Sequence, residues 1–183
     1  MKKALVPLAE GFEELEAVAI IDVLRRGGIK VVTASLAPNL QVCSAHGVTL
    51  QADVPLEEAL GGEYDAIVLP GGGPGTEHLA ACEPLLERLR QQKAEGGLVC
   101  AICAAPTVLE KAGVIEDEDV TCYPSCTPMM GRRVQQVPVV ADGLVITGQG
   151  PGSATLFALV VLANLEGERT AHGVANGMLA ELE

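Results

Sequence analysis

Cys103 is the residue of this chain best placed to act as a nucleophile. It directly follows the apolar run LVCAI, and Ala104, Ala105 and Pro106 come after it, before a helical pattern. A sharp turn from strand to helix needs small neighbours, and the N–H groups at a helix start favour a thiolate. The pattern predicts an elbow that presents Cys103 as a thiolate. A buried cysteine that packs as a small apolar side chain is the alternative.

Glu16 is the second candidate, on a different predicted helix. The run GFEELEAVAIIDVLRR has helical periodicity, and Glu16 precedes Ile20 and Val23 by four and seven residues. It therefore heads the apolar stripe of that helix. Burial would raise the pKa of its carboxyl group, and a protonated glutamate can donate to a thiolate or act as a general acid–base. A purely structural carboxylate is the alternative.

Two glycine-rich loops follow predicted strands, PGGGPGTEH from Pro70 and TGQGPGS from Thr147. Neither contains the Gly-Lys-Ser/Thr of a phosphate loop, and Thr76 occupies the third position of a G-x-G-x-x-G pattern. Nucleotide binding is therefore not predicted, and no cofactor is expected. We expect the main-chain amides of Gly71 and Gly72 to point at an oxyanion, with a plain turn as the alternative.

The remaining cysteines and the histidines are the other residues of the chain that could react or bind a metal. Cys100 and Cys103 form a C-x-x-C, which could form a disulfide or half a zinc site completed by CYPSC. Strand alternation predicts that the two thiols face opposite sides of a sheet, and zinc pairs normally lie on turns, so neither a disulfide nor a metal is expected. No function is assigned to the other cysteines: Cys43, Cys82, Cys122 and Cys126. The histidines are predicted to be surface residues: His46, His78 and His172.

The elements that must position these residues alternate between strand and helix along the chain. Several strands are apolar throughout, which is typical of a parallel sheet covered on both faces. Ligand sites in such sheets lie at the carboxyl ends of the strands, where both Cys103 and the loop after Leu69 fall. Short strands are predicted around a turn at His46-Gly47, and a hairpin around Asp142-Gly143. DVTCYP, residues 119–124, is predicted as strand.

Composition restricts the class of protein. The chain has 183 residues, 49% of them hydrophobic, and a formal net charge of −12. This length predicts one domain, residues 1–183, and the acidic balance disfavours nucleic acids and anionic membranes as partners. The N-terminus lacks the pattern of a signal peptide, and the run ATLFALVVLANL is shorter than a membrane span. We expect a cytoplasmic protein with reduced cysteines.

Four segments together resemble the ThiJ/PfpI superfamily, in the branch that includes the Parkinson disease protein: ALVPLAEGFEELEAVAIIDVLRRGGIKV, IVLPGGGPG, AICAAPTVL and GLVITGQGPGSATLFAL. The resemblance implies a flavodoxin-like three-layer α/β sandwich, similar to class I glutamine amidotransferases, and usually a homodimer. It also implies that Glu16 hydrogen-bonds the elbow residue Cys103. The amides of Gly72 and Ala104 would then face an oxyanion.

Two positions depart from the superfamily pattern. Proteases of the PfpI type carry a histidine directly after the cysteine, where this chain has Ala104, and this disfavours peptidase activity. The Parkinson-protein branch often has a histidine at the position of Tyr123. A tyrosine can donate a hydrogen bond to a substrate oxygen but is a weak base at neutral pH. Any mechanism that needs a base must therefore use Glu16.

The resemblance implies a cofactor-free enzyme that acts on reactive aldehydes such as methylglyoxal, or on their glycation adducts. Such an enzyme would be a glutathione-independent glyoxalase or a deglycase, with Cys103 as nucleophile and Glu16 as acid–base. The alternative is an oxidative-stress sensor or chaperone whose low-pKa cysteine oxidises to sulfinic acid. A cysteine peptidase is the third, disfavoured, possibility.

Overall fold

A mostly parallel, seven-stranded sheet forms the centre of the structure, a computed structural model that describes residues 1–182. The strand order is β5-β2-β1-β6-β7-β9-β8, and β8 is the antiparallel member. A separate hairpin consists of β3 and β4. Residue 183, the last of the predicted domain, lies outside the described residues. The strands are β1 (Lys3–Leu8), β2 (Lys30–Ser35), β3 (Gln41–Cys43), β4 (Thr49–Gln51), β5 (Val54–Pro55), β6 (Ala66–Leu69), β7 (Leu98–Ile102), β8 (Val139–Asp142) and β9 (Val145–Gly148).

Helices cover both faces of this sheet. The helices are α1 (Glu14–Arg26), α2 (Leu56–Ala59), α3 (Gly73–Ala81), α4 (Glu83–Ala94), α5 (Pro106–Ala112), α6 (Ala154–Glu166) and α7 (Glu168–Met178), with 3-10 turns at Pro124–Met129 and Pro151–Ser153. One face packs against α1, α6 and α7, and the other against α2 to α5. The predicted three-layer α/β fold is confirmed. Among residues 1–182, no helix is both long and apolar enough to cross a membrane.

The two cores explain why the central strands are apolar throughout. Successive side chains of a strand point to opposite faces, so a strand covered on both faces has no polar side. In β7, Val99 packs into the core under α4 and α5, while Cys100 packs into the core under α1 and α6. All residues of β6 and β7 are buried. The predicted hairpins at His46-Gly47 and Asp142-Gly143 are also present.

Two local predictions were wrong. DVTCYP is not a strand, because the Thr121 N–H donates to the Thr147 hydroxyl at 2.8 Å instead of to a strand carbonyl, and a 3-10 turn begins at Pro124. The glycine loop after β6 is shorter than expected, because α3 begins at Gly73. Pro74 suits the first turn of a helix, where its missing N–H needs no partner. As a result, α3 starts next to the predicted site.

Candidate active site

The predicted site residues meet at the carboxyl edge of the sheet. Gly71 and Gly72 follow β6, Cys103 follows β7, and Glu16 lies in the first turn of α1, after β1. Parallel neighbours end at the same edge, and the chain leaves β1 and β6 toward opposite sides of the sheet. Such a switch point opens a crevice between the connecting segments. The structure brings these residues, and with them Ala104, into one cluster.

Cys103 occupies a strained elbow between β7 and α5. Its φ is 64°, a left-handed value that costs a non-glycine residue about 1–3 kcal/mol. The surroundings hold it there, because the Cys103 N–H donates to the Gly148 carbonyl at 2.9 Å and the Cys103 carbonyl accepts from the Tyr123 N–H at 2.8 Å. Only 9% of Cys103 is exposed. The turn therefore fixes a nearly buried thiol in one orientation.

The carboxyl group of Glu16 is buried beside this thiol. Glu16 has no exposed surface, and its Oε2 accepts from the Gly71 N–H at 2.7 Å. Its other oxygen, Oε1, is buried and has no hydrogen-bond partner among residues 1–182. A carboxyl oxygen that carries a proton can donate to the neighbouring sulfur instead of remaining an unpaired acceptor. These surroundings favour the protonated form of the Glu16 carboxyl group.

Glu16 and Cys103 influence each other's pKa, and together they share one proton. Burial raises the pKa of Glu16 to about 7, although the Gly71 N–H and the Cys103 thiol partly oppose this rise. Burial and then the Glu16 carboxylate raise the pKa of Cys103 to about 12, while the amides of Ala104 and Gly72 lower it. The prediction of a low pKa for the Cys103 thiol is therefore wrong for the state in which Glu16 is a carboxylate. A thiolate becomes accessible when the proton of the pair resides on Glu16.

Gly71 and Gly72 have different roles, and the role of Gly71 differs from the predicted one. The Gly71 N–H is occupied by Glu16, so it is not free to bind an oxyanion. A Cβ at Gly71 would lie 2.7 Å from both the Cys103 Cβ and the Glu16 Oε2. Glycine is therefore needed here to let the thiol and the carboxyl group approach each other. The amides of Gly72 and Ala104, by contrast, interact with the sulfur.

Tyr123 is joined to the site through its main chain, by the hydrogen bond to the Cys103 carbonyl. The residue is 45% exposed, and its ring packs against Gly150. The three histidines are exposed, as predicted. His46 pairs with Glu14 at 2.9 Å, and with Glu13 these residues place three possible metal-ligand atoms within 4.8 Å of one another.

The other cysteines lie in positions that do not fit a zinc site. Cys100 and Cys122 belong to cores on opposite faces of the sheet. Cys103 contacts the same core as Cys100, contrary to the predicted alternation, because the positive φ of Cys103 ends the strand geometry. Burial raises the pKa of Cys100, as expected of an inert core thiol. All six cysteines of the chain are unpaired thiols in the described structure.

Sequence reasoning missed the positioning role of Glu13. Its carboxylate caps α1 by accepting from the Glu16 N–H at 2.7 Å, and its own N–H donates to the Gly71 carbonyl at 3.0 Å. These two bonds tie the start of α1 to the loop after β6. An acidic residue directly before a helix is a capping signal, but only the fold shows that this cap also touches the loop.

Comparisons with known proteins agree with this architecture. A sequence profile of the DJ-1/PfpI family matches residues 2–164. The chain is 41% identical to protein dj-1beta of Drosophila melanogaster over 97% of both chains. It is 40% identical to the glutathione-independent glyoxalase DJR-1.2 of Caenorhabditis elegans, over 91% of this chain and 90% of that one. The structure of oxidized DJ-1 from Toxoplasma gondii superimposes with a TM-score of 0.96 at 35% identity, over all of both chains. The chain therefore belongs to the DJ-1/PfpI family.

Proposed function

We propose that this chain is a glutathione-independent glyoxalase, which converts methylglyoxal and related α-oxoaldehydes to α-hydroxy acids. The observation that carries the proposal is the buried pair of Cys103 and Glu16, with the amides of Gly72 and Ala104 close enough to the sulfur to lower the pKa of the thiol. A nucleophile, an acid–base and oxyanion donors in contact are the groups this reaction needs. The name of the relative in Caenorhabditis elegans supports the same activity.

The first step forms a covalent adduct. With the shared proton on Glu16, the Cys103 thiolate attacks the aldehyde carbon, and its electron pair forms the C–S bond. The carbonyl oxygen becomes an oxyanion held by the amides of Gly72 and Ala104, and it takes the Glu16 proton to give a hemithioacetal. Glu16 is then a carboxylate beside the adduct and can act as a base.

The second step moves hydrogen between the two carbons. Glu16 removes the proton from the former aldehyde carbon, giving an enediolate with the negative charge on the former ketone oxygen, and then returns that proton to the adjacent carbon. The proton of the hemithioacetal hydroxyl passes to the former ketone oxygen. The former aldehyde carbon is thereby oxidised to a thioester, while the ketone carbon is reduced to an alcohol. Water then cleaves the C–S bond and restores the thiol. Methylglyoxal plus water thus gives lactate, and Tyr123 is proposed to orient a substrate oxygen.

Lactate formation from methylglyoxal by the purified chain, without glutathione or added metal, tests this proposal. We expect turnover by the wild-type protein and only the buffer rate with Cys103→Ala, because no other group in the cluster can form the covalent adduct. A Cys103→Ala variant as active as the wild type would refute the proposed nucleophile. Melting temperatures of both proteins would show that the loss is not caused by unfolding.

A redox role is the second candidate. The structure of the Toxoplasma gondii protein is that of an oxidized form, and the Cys103 thiol, 9% exposed, lies beside an acid that can stabilise an oxidised sulfur. Oxidation of Cys103 by peroxide in a protein without aldehyde turnover would favour this role. Deglycase and chaperone activities would use the same residues. Peptidase activity stays disfavoured because Ala104 stands where a histidine would be needed.

We also propose that two copies of the chain associate, as the resemblance implied. Leu15 and Val18 leave an apolar surface on α1, with 64% and 47% of each residue exposed. Exposed apolar residues that lie together are typical of an interface. The proposed substrates are small aldehydes or glycated molecules, without nucleic acid or membrane partners.

A further inference from the structure

We propose that Cys82 and His78 form a second reactive site, in a cavity that binds α,β-unsaturated aldehydes with a long alkyl chain. The thiol of Cys82 adds to the carbon–carbon double bond of the aldehyde, and His78 transfers the proton. Neither residue has a part in the glyoxalase chemistry proposed for Cys103, so this inference goes beyond that function and is tested separately from it.

The cavity lies at the carboxyl ends of β1 and β2, beside the end of α3. It has a volume of about 380 Å³ and a mainly apolar wall. Leu8 and Val42 belong to the buried core, so the cavity reaches from the surface down to the core. The apolar part of the wall consists of Leu8, Leu36, Ala37, Val42 and Ala81, and Cys82 lies among them.

Two residues of this wall can do chemistry together. His78 and Cys82 are four residues apart at the end of α3, a spacing that places helical side chains next to each other. The Nδ1 atom of His78 lies 3.0 Å from the Glu10 carbonyl oxygen, which can only accept, so Nδ1 carries the ring proton. In the neutral ring Nε2 is then an acceptor, which can take the proton of a neighbouring thiol.

The polar side chains of the wall favour one kind of electrophile. The Ser35 hydroxyl donates to the Asn39 carbonyl at 2.6 Å and accepts from the Ala37 N–H at 3.2 Å. Among the described side chains of the wall, no donor besides the thiol is therefore free to hold the oxyanion that addition to a carbonyl carbon creates. Conjugate addition needs no such donor inside the cavity. Its negative charge moves to an oxygen three bonds from the attacked carbon, where water at the cavity mouth can solvate it.

Charge and size select the rest of the ligand. Of the described residues that line the cavity, one is acidic, Glu10, and none is basic at neutral pH. An anionic ligand would lose hydration here without gaining a partner, whereas a neutral alkyl chain can cover the apolar wall. Each methylene that is buried strengthens binding about fourfold. Trans-2-nonenal has four more methylenes than trans-2-pentenal, so burial of two of them makes its addition at least about tenfold faster.

The proposed step is balanced without a further reactant. Nε2 of His78 takes the proton of the Cys82 thiol, and an electron pair of the sulfur forms a bond to the β-carbon of the aldehyde. The electron pair of the double bond moves toward the carbonyl group and gives an enolate. The α-carbon of the enolate then takes the proton from His78. The product is a saturated aldehyde joined to Cys82 by a thioether, and nothing is oxidised or reduced overall.

The rate of adduct formation at each cysteine of the full chain, measured by peptide mass spectrometry after borohydride reduction, tests the inference. Trans-2-nonenal is expected to modify Cys82 at least about tenfold faster than trans-2-pentenal, which carries the same electrophilic group. Cys126 is likewise partly buried but does not line this cavity, so it is the internal control and should show no such preference. The same ratio at both thiols would overturn the inference.

A charge placed in the wall tests the cavity itself. Ala37→Glu adds a carboxylate from an exposed loop position and should abolish the preference of Cys82 for the longer aldehyde. Ala45→Glu, at another exposed loop alanine that does not line the cavity, is the matched control and should keep the preference. A preference that survives Ala37→Glu would show that the alkyl chain does not lie in the cavity, and the inference would fail.

The proton transfer is tested with His78→Gln. This variant should slow the addition of both aldehydes to Cys82 about 10²-fold at neutral pH and leave their ratio unchanged, because it removes the base but not the apolar wall. Unchanged rates would refute the role of His78. Lactate formation from methylglyoxal by the wild type is a separate readout. Its absence beside a clear chain-length preference at Cys82 would refute the glyoxalase alone, and the converse result would refute only the second site.

Discussion

Replacing Glu16 by glutamine is expected to lower kcat/KM for methylglyoxal by about 10²- to 10⁴-fold, the range for loss of a positioned acid–base. Glutamine keeps the shape of the side chain and can still accept from the Gly71 N–H. It cannot take a proton from the hemithioacetal carbon or protonate the oxyanion. Lactate formation by both proteins measures the loss, and Asp22→Asn, at a half-exposed residue on the same helix paired with Arg26, is the control. Activity within threefold of the wild type would exclude Glu16 as the acid–base.

The pH profile should distinguish this role from a structural one. The reactive pair holds one proton, so activity should rise as the first proton leaves, with a midpoint near the Glu16 pKa of about 7. In Glu16→Gln this midpoint should disappear, because the remaining thiol no longer shares a proton with a carboxyl group. A variant that keeps the midpoint near pH 7 would assign the titration to another residue.

The same pKa shift has a consequence for stability. The folded protein binds the Glu16 proton more tightly than the unfolded chain does, because the pKa rises from 4.5 to about 7. The free energy of unfolding should therefore fall as pH rises from about 4.5 to 7, by roughly 3 kcal/mol in total from this group. Urea denaturation of the wild type and Glu16→Gln across this range would isolate the contribution, since only the wild type should show this component.

Gly72→Ala is expected to lower the free energy of unfolding by about 3 kcal/mol or more. The added Cβ would lie 2.3 Å from the Gly11 carbonyl oxygen and 2.6 Å from the Glu13 nitrogen, both main-chain atoms that cannot rotate away. The φ of Gly72 is also +93°, which side chains rarely adopt. Because the Gly72 amide interacts with the Cys103 sulfur, aldehyde turnover should fall as well. Urea denaturation and the lactate assay measure the two effects.

Gly28 and Gly73 provide matched controls for the Gly72→Ala prediction. Gly28 has a φ of +82° but open space around it, so Gly28→Ala tests backbone strain alone and should cost about 1 kcal/mol. Gly73 has open space, begins α3 and has no positive φ, so Gly73→Ala should be neutral or slightly stabilising. If Gly72→Ala costs no more than Gly28→Ala, the close approach of the main-chain atoms is not what requires glycine there.

Features that depend on near neighbours in the chain were predictable from the sequence. The apolar stripe placed Glu16 on the inner face of α1, because Ile20 and Val23 follow it at helical spacing. The alanines around Cys103 indicated the elbow, since a tight turn excludes larger side chains. The apolar strands indicated a sheet covered on both faces. Resemblance to a family added the pairing of Cys103 with Glu16, which no local pattern contains.

The assignments that only the tertiary structure decided depend on contacts between distant segments. Gly71 and Gly72 are adjacent and alike in sequence, yet the Gly71 amide binds Glu16, 55 residues away, while the Gly72 amide lowers the pKa of the Cys103 thiol. The Thr147 side chain takes the hydrogen bond that would have made residues 119–124 a strand. The raised pKa of Cys103 likewise depends on burial and on a carboxylate from another element. Hydrogen-bond partners and desolvation are set by three-dimensional distance, so residue types and spacing determined the candidates while the fold determined what each one does.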